Sequence, residues 1–448
     1  MKRTTDMTKG SPMRLLLTFS LPLLLTNLGQ QLYIIIDAAI VGRGIGVKAL
    51  AAIGSSDWTY WMLIWTIMGL TQGFGTFVSR AFGEKNYDRM NKYIAMSTIL
   101  SIAIGAILTV AGITSARPLL AALKTPADII DDAVLYLVSM TAGILVVTLY
   151  NIAAAILRAF GNGRHPLYAM TIAVILNIIL DLVFVIAFKW GLLGAAIASV
   201  VSQLVSFLYC LKQLRAIRHI KITRETWRLD MPMLVKLTRF GVPVTLLYII
   251  IAIGGIALQA AVNRQGSLFV AGFTAPNKLY GLLECTAISL GIALATFTAQ
   301  NYGAGDKSRV RKGVQTGLIL SLLASFAVSA ITIPGGRWML QLFIDPTLAD
   351  GPQALAIGER YLFFMSSFLS VLFPIHVYRN ALQALGDSMW PMISGIAETV
   401  LRITVGFIIV AFAMPQLLFY AEPAAWLFAL IFTAAPYYRC QRRLLAPH

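Results

Sequence analysis

Charge is scarce in this sequence, and what there is leans one way. Only 12% of the 448 residues are charged, 36 of them basic and 19 acidic, while 58% are hydrophobic. The mean hydropathy is +0.77. A soluble domain carries about 25% charged residues, so the composition excludes one and indicates a polytopic membrane protein. Cysteine is almost absent. Cys210, Cys285 and Cys440 lie in or beside apolar segments in no CxxC pairing, which excludes a disulfide or zinc framework. A phosphate-binding P-loop is missing too: Gly303-Ala304-Gly305-Asp306-Lys307-Ser308 has similar letters but neither the spacing nor a preceding strand. There is no HExxH motif, and Asp131-Asp132 is not followed by the further acids a metal-pyrophosphate enzyme needs. Energy for any pumping must then come from an ion gradient or a partner subunit. The net charge of +17 would suggest nucleic acid on a soluble basic face, but here Lys and Arg occupy short loops between apolar runs. The first apolar stretch is too long for a secretory signal and no A-x-A-type site follows a short core, so it reads as a retained helix.

What is present is a series of twelve apolar runs. They lie near 15–42, 55–80, 92–114, 130–157, 165–188 and 191–211, then 240–262, 268–299, 312–334, 355–384, 388–413 and 416–438. The second and eighth are long and glycine-bearing, and Pro423 breaks the last. With the N-terminus inside, about 26 of the 36 Lys and Arg fall in cytoplasmic loops and tails, so charge bias puts both termini in the cytoplasm. The basic segment Lys212–Arg239 reads as a surface linker, with an amphipathic helix on the anionic inner leaflet as one form it could take. The expected domains are a six-helix lobe at 1–211, a cytoplasmic basic linker at 212–238 and a second six-helix lobe at 239–448.

The halves repeat. Ser20-Leu21-Pro22 answers Gly241-Val242-Pro243, and Arg80 to Lys85 with Arg89 answers Gln300 to Gly305 with Arg309. Leu157 to Asn162 with Pro166 answers Leu382 to Asp387 with Pro391. The offset is about 220–225 residues each time, and six spans per half gives repeats of equal orientation, related by an axis along the membrane normal. The fold expected is all-α and integral to the membrane, two six-helix bundles making an alternating-access machine.

Within the first span, about 28 residues separate Arg14 from Arg43, and Asp37 is the one ionisable acid or base among them. An acid at the bilayer centre costs roughly 2.5–3.5 kcal/mol, so it faces a cavity or a partner. Two readings stay open: an ion site, or an acid at the outer helix end solvated by headgroup water. Asn177 and Asp181 stand i, i+4 and share a helix face. Counted from the outer ends of their spans, Asp37, Asp181, Ser199 and Tyr136 all lie within roughly 7–15 Å of the outer surface. One pocket would hold them. Its oxygen ligands suit Na⁺, and two close carboxylates equally suit a proton; an interhelical hydrogen bond is the plainer role for Asn177 and Asp181.

Other ionisable groups lie at membrane depth. Glu398 and Arg402, i, i+4 on span eleven, read as a structural ion pair rather than a proton relay. Glu284 and Lys278 are spaced to face different ways, leaving Glu284 for a cationic substrate or an interior partner. His376 reads as a helix-packing residue before a proton carrier. Trp58, Tyr60, Trp61 and Trp65 form either an interfacial belt or a cavity wall for planar cations. Gly69, Gly73 and Gly75 suit close packing or bending.

Taken in order and in both halves, these motifs resemble the multidrug and toxic compound extrusion (MATE) transporters of the MOP superfamily, over nearly the whole chain. The resemblance rests on Asp37, on Gln300-Asn301-Tyr302-Gly303-Ala304-Gly305 with Arg309, on Arg158-Ala159-Phe160-Gly161-Asn162 with Pro166, and on Asn177 to Asp181. It implies a cation-coupled antiporter with a cavity between two lobes. The DinF-like branch carries a cation-binding role onto Asp37, Asn177 and Asp181, more loosely onto Tyr136 and Ser199, and these first three are the metal ligands if Na⁺ is the coupling ion. The repeat does not duplicate the cluster: Leu258, Arg402 and Gly406 stand opposite Asp37, Asn177 and Asp181. NorM-like relatives use an acid in span ten, yet Met365 to His376 contains none.

The reading is therefore an inner-membrane exporter of organic cationic or amphipathic compounds driven by Na⁺ or H⁺, not an enzyme, with no cofactor. Glu284, Trp61 and Trp65 are assigned to the substrate cavity. A small-molecule substrate and membrane lipid are the expected partners of a monomer, with no nucleic acid. A lipid-linked saccharide flippase of the same superfamily, and then an integral-membrane enzyme, are the alternatives.

Overall fold

Apolar runs of this length have one economical way to satisfy their backbone in lipid, which is to coil. The computed structural model describes residues 4–123, 125–347, 350–412 and 414–445, and among these every regular element is helical. In the first half they are α1 (Pro12–Gly44), α2 (Val47–Gly83), α3 (Tyr87–Ala122), α4 (Ile130–Ala142), α5 (Ile144–Ala159), α6 (Arg164–Asp181) and α7 (Gly191–Arg215). The second half has α8 (Met231–Asn263), α9 (Ser267–Gly303), α10 (Lys307–Leu340), α11 (Gly351–Ser367), α12 (Leu369–Ala384), α13 (Met389–Phe412) and α14 (Leu418–Leu445).

Ten helical stretches are long and apolar enough to cross a membrane by themselves. The pairs α4/α5 and α11/α12, bent by 43° and 49°, make twelve if each is one span. Every apolar run falls on one of these, but the two bends had no forecast. Spans two and eight are unbroken helices of 37 residues despite their glycines. The last is continuous through Pro423 and Pro436. The linker corrects one expectation. Between α7 and α8 the chain runs through turns and irregular backbone, with no amphipathic helix, and α8 already begins at Met231. Charged and polar residues such as Arg224, Glu225 and Thr226 outnumber apolar ones there, although Ile217 is buried.

Two compact units emerge. One contains Leu21–Thr245 with the short stretch ending at Asp6; the other contains Met7–Ser20 and the chain from Leu246 onward. In the first, α2 packs on α3, α4 and α5, and α7 packs on α5 and α6. The α2 glycines also allow close approach to the first part of α8 within this unit: a Cβ at Gly69 would lie 2.7 Å from Thr245 Cα, and one at Gly73 3.4 Å from Gly241 Cα. In the second unit, α9 is gripped by α10, α11 and α12, while α14 lies along α13 and α12. Buried Tyr361, Phe373 and Trp426 anchor its core.

The repeat extends to helix caps. Asn86 and Asp306 each precede a long helix, and each side chain accepts a hydrogen bond from the backbone N–H of the arginine three residues on, Arg89 or Arg309. The Gln300-Asn301 motif acquires a role here. Within the second unit, buried Met7 donates its backbone N–H to Gln300 Oε1 (2.9 Å), and its carbonyl accepts from Asn301 Nδ2 (3.1 Å) and Arg309 Nη2 (3.1 Å).

Candidate functional site

Three helices of the first unit bring their polar groups to one place. Along α1, Tyr33 and Asp37 are one turn apart and share a face; α6 contributes Asn177 and Asp181 by the same spacing, and α7 adds Ser199. The Tyr33 hydroxyl lies 2.6 Å from Ser199 Oγ, which also accepts from Asn177 Nδ2 at 3.4 Å. The carboxyl groups of Asp37 and Asp181 are neighbours, within electrostatic reach of each other. Four of the five predicted residues are gathered here and buried: Asp37 is 9% exposed, Asn177 1%, Asp181 0% and Ser199 5%.

Four acceptors of the pocket have no donor among the described residues. Asp37 Oδ1, both carboxyl oxygens of Asp181 and Asn177 Oδ1 are buried with no hydrogen-bond partner. Each such acceptor costs roughly 1–3 kcal/mol, so four in one place call for a positive ligand. Among the described residues no group of three or more His, Cys, Asp or Glu gathers in a way that could hold a metal ion. The donor atoms here are oxygens of two carboxylates, an amide and hydroxyls, a set that fits a hard cation or a shared proton.

Tyr136, 5% exposed, packs with Val41, Ile53 and Val185 and lies within electrostatic reach of Asp37 and Tyr33, as a wall of the pocket. Sequence reading missed Tyr33, although its position one turn before Asp37 was a usable signal. It also missed Asp57 and Tyr60 of α2, both within electrostatic reach of Asp37. Directly after Asp181 the helix widens into a π turn, Leu182–Ala187. Such insertions concentrate at functional sites. Gly44 at the end of α1 leaves room for this segment, since a Cβ there would collide with Ile186.

The second unit handles its charges differently. The expected Glu398–Arg402 pair forms at 2.8 Å, but as the centre of a chain of four. Arg379 Nη2 meets Glu398 Oε2 at 2.7 Å, and Arg402 Nη2 meets Glu422 Oε2 at 2.6 Å, with Arg379 Nε donating to Ser394 Oγ at 2.9 Å. Glu422 was the member no spacing rule revealed. Within the second unit Glu284 Oε1 lies 3.3 Å from His376 Nε2, without hydrogen-bond geometry. Trp61 and Trp65 lie with ring centroids 6.1 Å apart, and Trp61 packs on Ile64, Ile67, Ile144 and Val147.

Twelve spans in two units, with a buried donor-poor acid pocket in one of them, define an integral membrane protein of transporter type. The MatE family model matches residues 22–183 and 243–408, one match in each half. The chain belongs to the MatE family of membrane transporters, which are not enzymes. Two proteins of Bacillus subtilis (strain 168) are similar to it. The probable multidrug resistance protein YoeA is 26% identical over 96% of this chain and 94% of its own. The probable multidrug resistance protein YpnP is 30% identical over 85% and 84%. Among solved structures, a MOP superfamily transporter from Pyrococcus furiosus superposes with a TM-score of 0.92 at 20% identity, covering 99% of this chain and all of that one. An outward-facing multidrug resistance MATE family transporter gives 0.91 at 20% identity, with 99% and 100% covered.

Proposed function

We propose that the protein exports organic cationic or amphipathic compounds across the cytoplasmic membrane, driven by Na⁺ or H⁺ entering a site made by Asp37, Asn177 and Asp181. The observation that carries this reading is a neighbouring pair of buried carboxyl groups in which Asp37 Oδ1 and both oxygens of Asp181 have no hydrogen-bond partner. The names of the Bacillus relatives support multidrug export as the task. Tyr33 and Ser199 orient Asn177, and Tyr136 limits access of water.

Coupling requires the cation and the substrate to favour opposite conformations, because a ligand shifts an equilibrium only through differential affinity. Filling the site draws Asp37 toward Asp181 and moves α1. Its weak point is Pro22, which lacks the N–H that would close the turn, with Gly29 further along. Glu284, Trp61 and Trp65 contact substrate in this reading. The protein works as a lipid-surrounded monomer with both termini in the cytoplasm and the basic linker on that face. A lipid-linked saccharide flippase would need free cations at depth, whereas Arg379 and Arg402 are both engaged by glutamates.

The test is efflux of ethidium from preloaded right-side-out vesicles under imposed Na⁺ or H⁺ gradients, wild type against Asp37→Asn. Gradient-driven efflux lost in the variant is the expected result, and the gradient that works names the ion. Efflux that survives the substitution refutes the coupling role of Asp37.

A further inference from the structure

Away from the acid pocket, the first unit holds a second concave site where the α2–α3 turn meets the segment after α7. It is a cavity of about 630 Å³, inside the range of roughly 300–1,000 Å³ typical of small-ligand pockets. Lys85, Arg218 and Lys221 line it, are exposed, and form no ion pair among the described residues. Of its acids, Glu84 is taken by Arg89 at 3.3 Å, and Asp88 sits in the first turn of α3, where the helix dipole offsets its charge.

The walls are built rather than incidental. Buried Asn91 clasps the linker with both ends of its amide, donating Nδ2–H to the His219 carbonyl and accepting from the Lys221 backbone N–H, each at 3.2 Å. The His219 ring stacks on Tyr87 at 4.3 Å with an 11° tilt. These contacts pin Arg218 and Lys221 beside the turn that carries Lys85.

The internal repeat supplies the sharper observation. Lys85 has φ of +56°, and its counterpart in the second half is Gly305 at +77°. A left-handed residue here suits glycine and strains a lysine. The first half therefore holds a cation at a position whose backbone favours having no side chain. A ligand for that cation accounts for the choice.

We propose that this pocket binds a phosphate group through Lys85, Arg218 and Lys221. Anionic lipid headgroups and free phosphate compounds share that chemistry, and basic pockets beside membrane helices are a known way to hold the former. The site is independent of the ion-coupling reading.

Native mass spectrometry of the full chain in detergent tests it, with phosphatidylglycerol, phosphatidylcholine and inorganic pyrophosphate as probes. Phosphatidylglycerol retained over phosphatidylcholine identifies a lipid; pyrophosphate retained without that preference identifies a soluble phosphate compound. Either way Lys85→Gly, which relaxes the turn and keeps the fold, should weaken retention about tenfold, the scale of one charge-assisted contact. Arg218→Gln should act in the same direction and provides a second variant. Retention of neither probe by the wild type, or equal retention by wild type and both variants, overturns the proposal.

Discussion

The two units share a helical plan and differ in how they treat acids at depth. In the first, Asp37 and Asp181 are neighbours that form no ion pair among the described residues, with several oxygens unsatisfied. In the second, Glu398 and Glu422 are each held by arginine at 2.6–2.8 Å. An acid already neutralised by arginine has little left to offer a mobile cation, whereas a pair without such partners keeps that capacity. In the proposed reading, the contrast separates charge used as scaffold from charge kept for coupling.

Substitutions break this contrast in a graded way. The largest effect belongs to Glu398→Ala, which strands Arg379 and Arg402 in a buried site. Losing one partner of such a network costs roughly 3–5 kcal/mol, read as a lowered unfolding temperature in detergent. Asp181→Asn should do the reverse to the empty protein, stabilising it or leaving it unchanged, while removing its response to the coupling cation. Wild type at 100 times Kd gains about 2.7 kcal/mol from such a ligand, and thermal unfolding with and without Na⁺, or across pH, measures that increment. A variant that still gains it would place the ion elsewhere. Ser199→Ala is the smallest step. It takes one hydroxyl from Tyr33 and Asn177, worth about 1 kcal/mol, and should weaken cation affinity several-fold without abolishing transport.

The fold was legible because hydropathy and the repeat are properties of long stretches, on which single residues have little influence. The site was legible where chemistry and spacing coincide: a lone acid in an apolar run, and Asn177 and Asp181 on one face. Tyr33 was missed because tyrosine is unremarkable in a membrane helix until a serine from α7 is found 2.6 Å away. Glu422 was missed for a related reason. Its partner is twenty residues away on another helix, and local periodicity carries no information about that pairing. The bends after Ala142 and Ser367 left no usable mark either, since glycine and serine are common in unbent membrane helices.

Those bends also carry a history. They fall at Gly143 and Phe368, apart by the same interval that relates the repeated motifs, with nearly equal angles. A single ancestral half-protein bearing the bend, copied before the two halves diverged, accounts for both at once. The acid pocket occurs in one half alone and so arose, or was lost from its twin, after the copying. The broken span was then in place before the two halves came to differ in their acids, and each half has kept it.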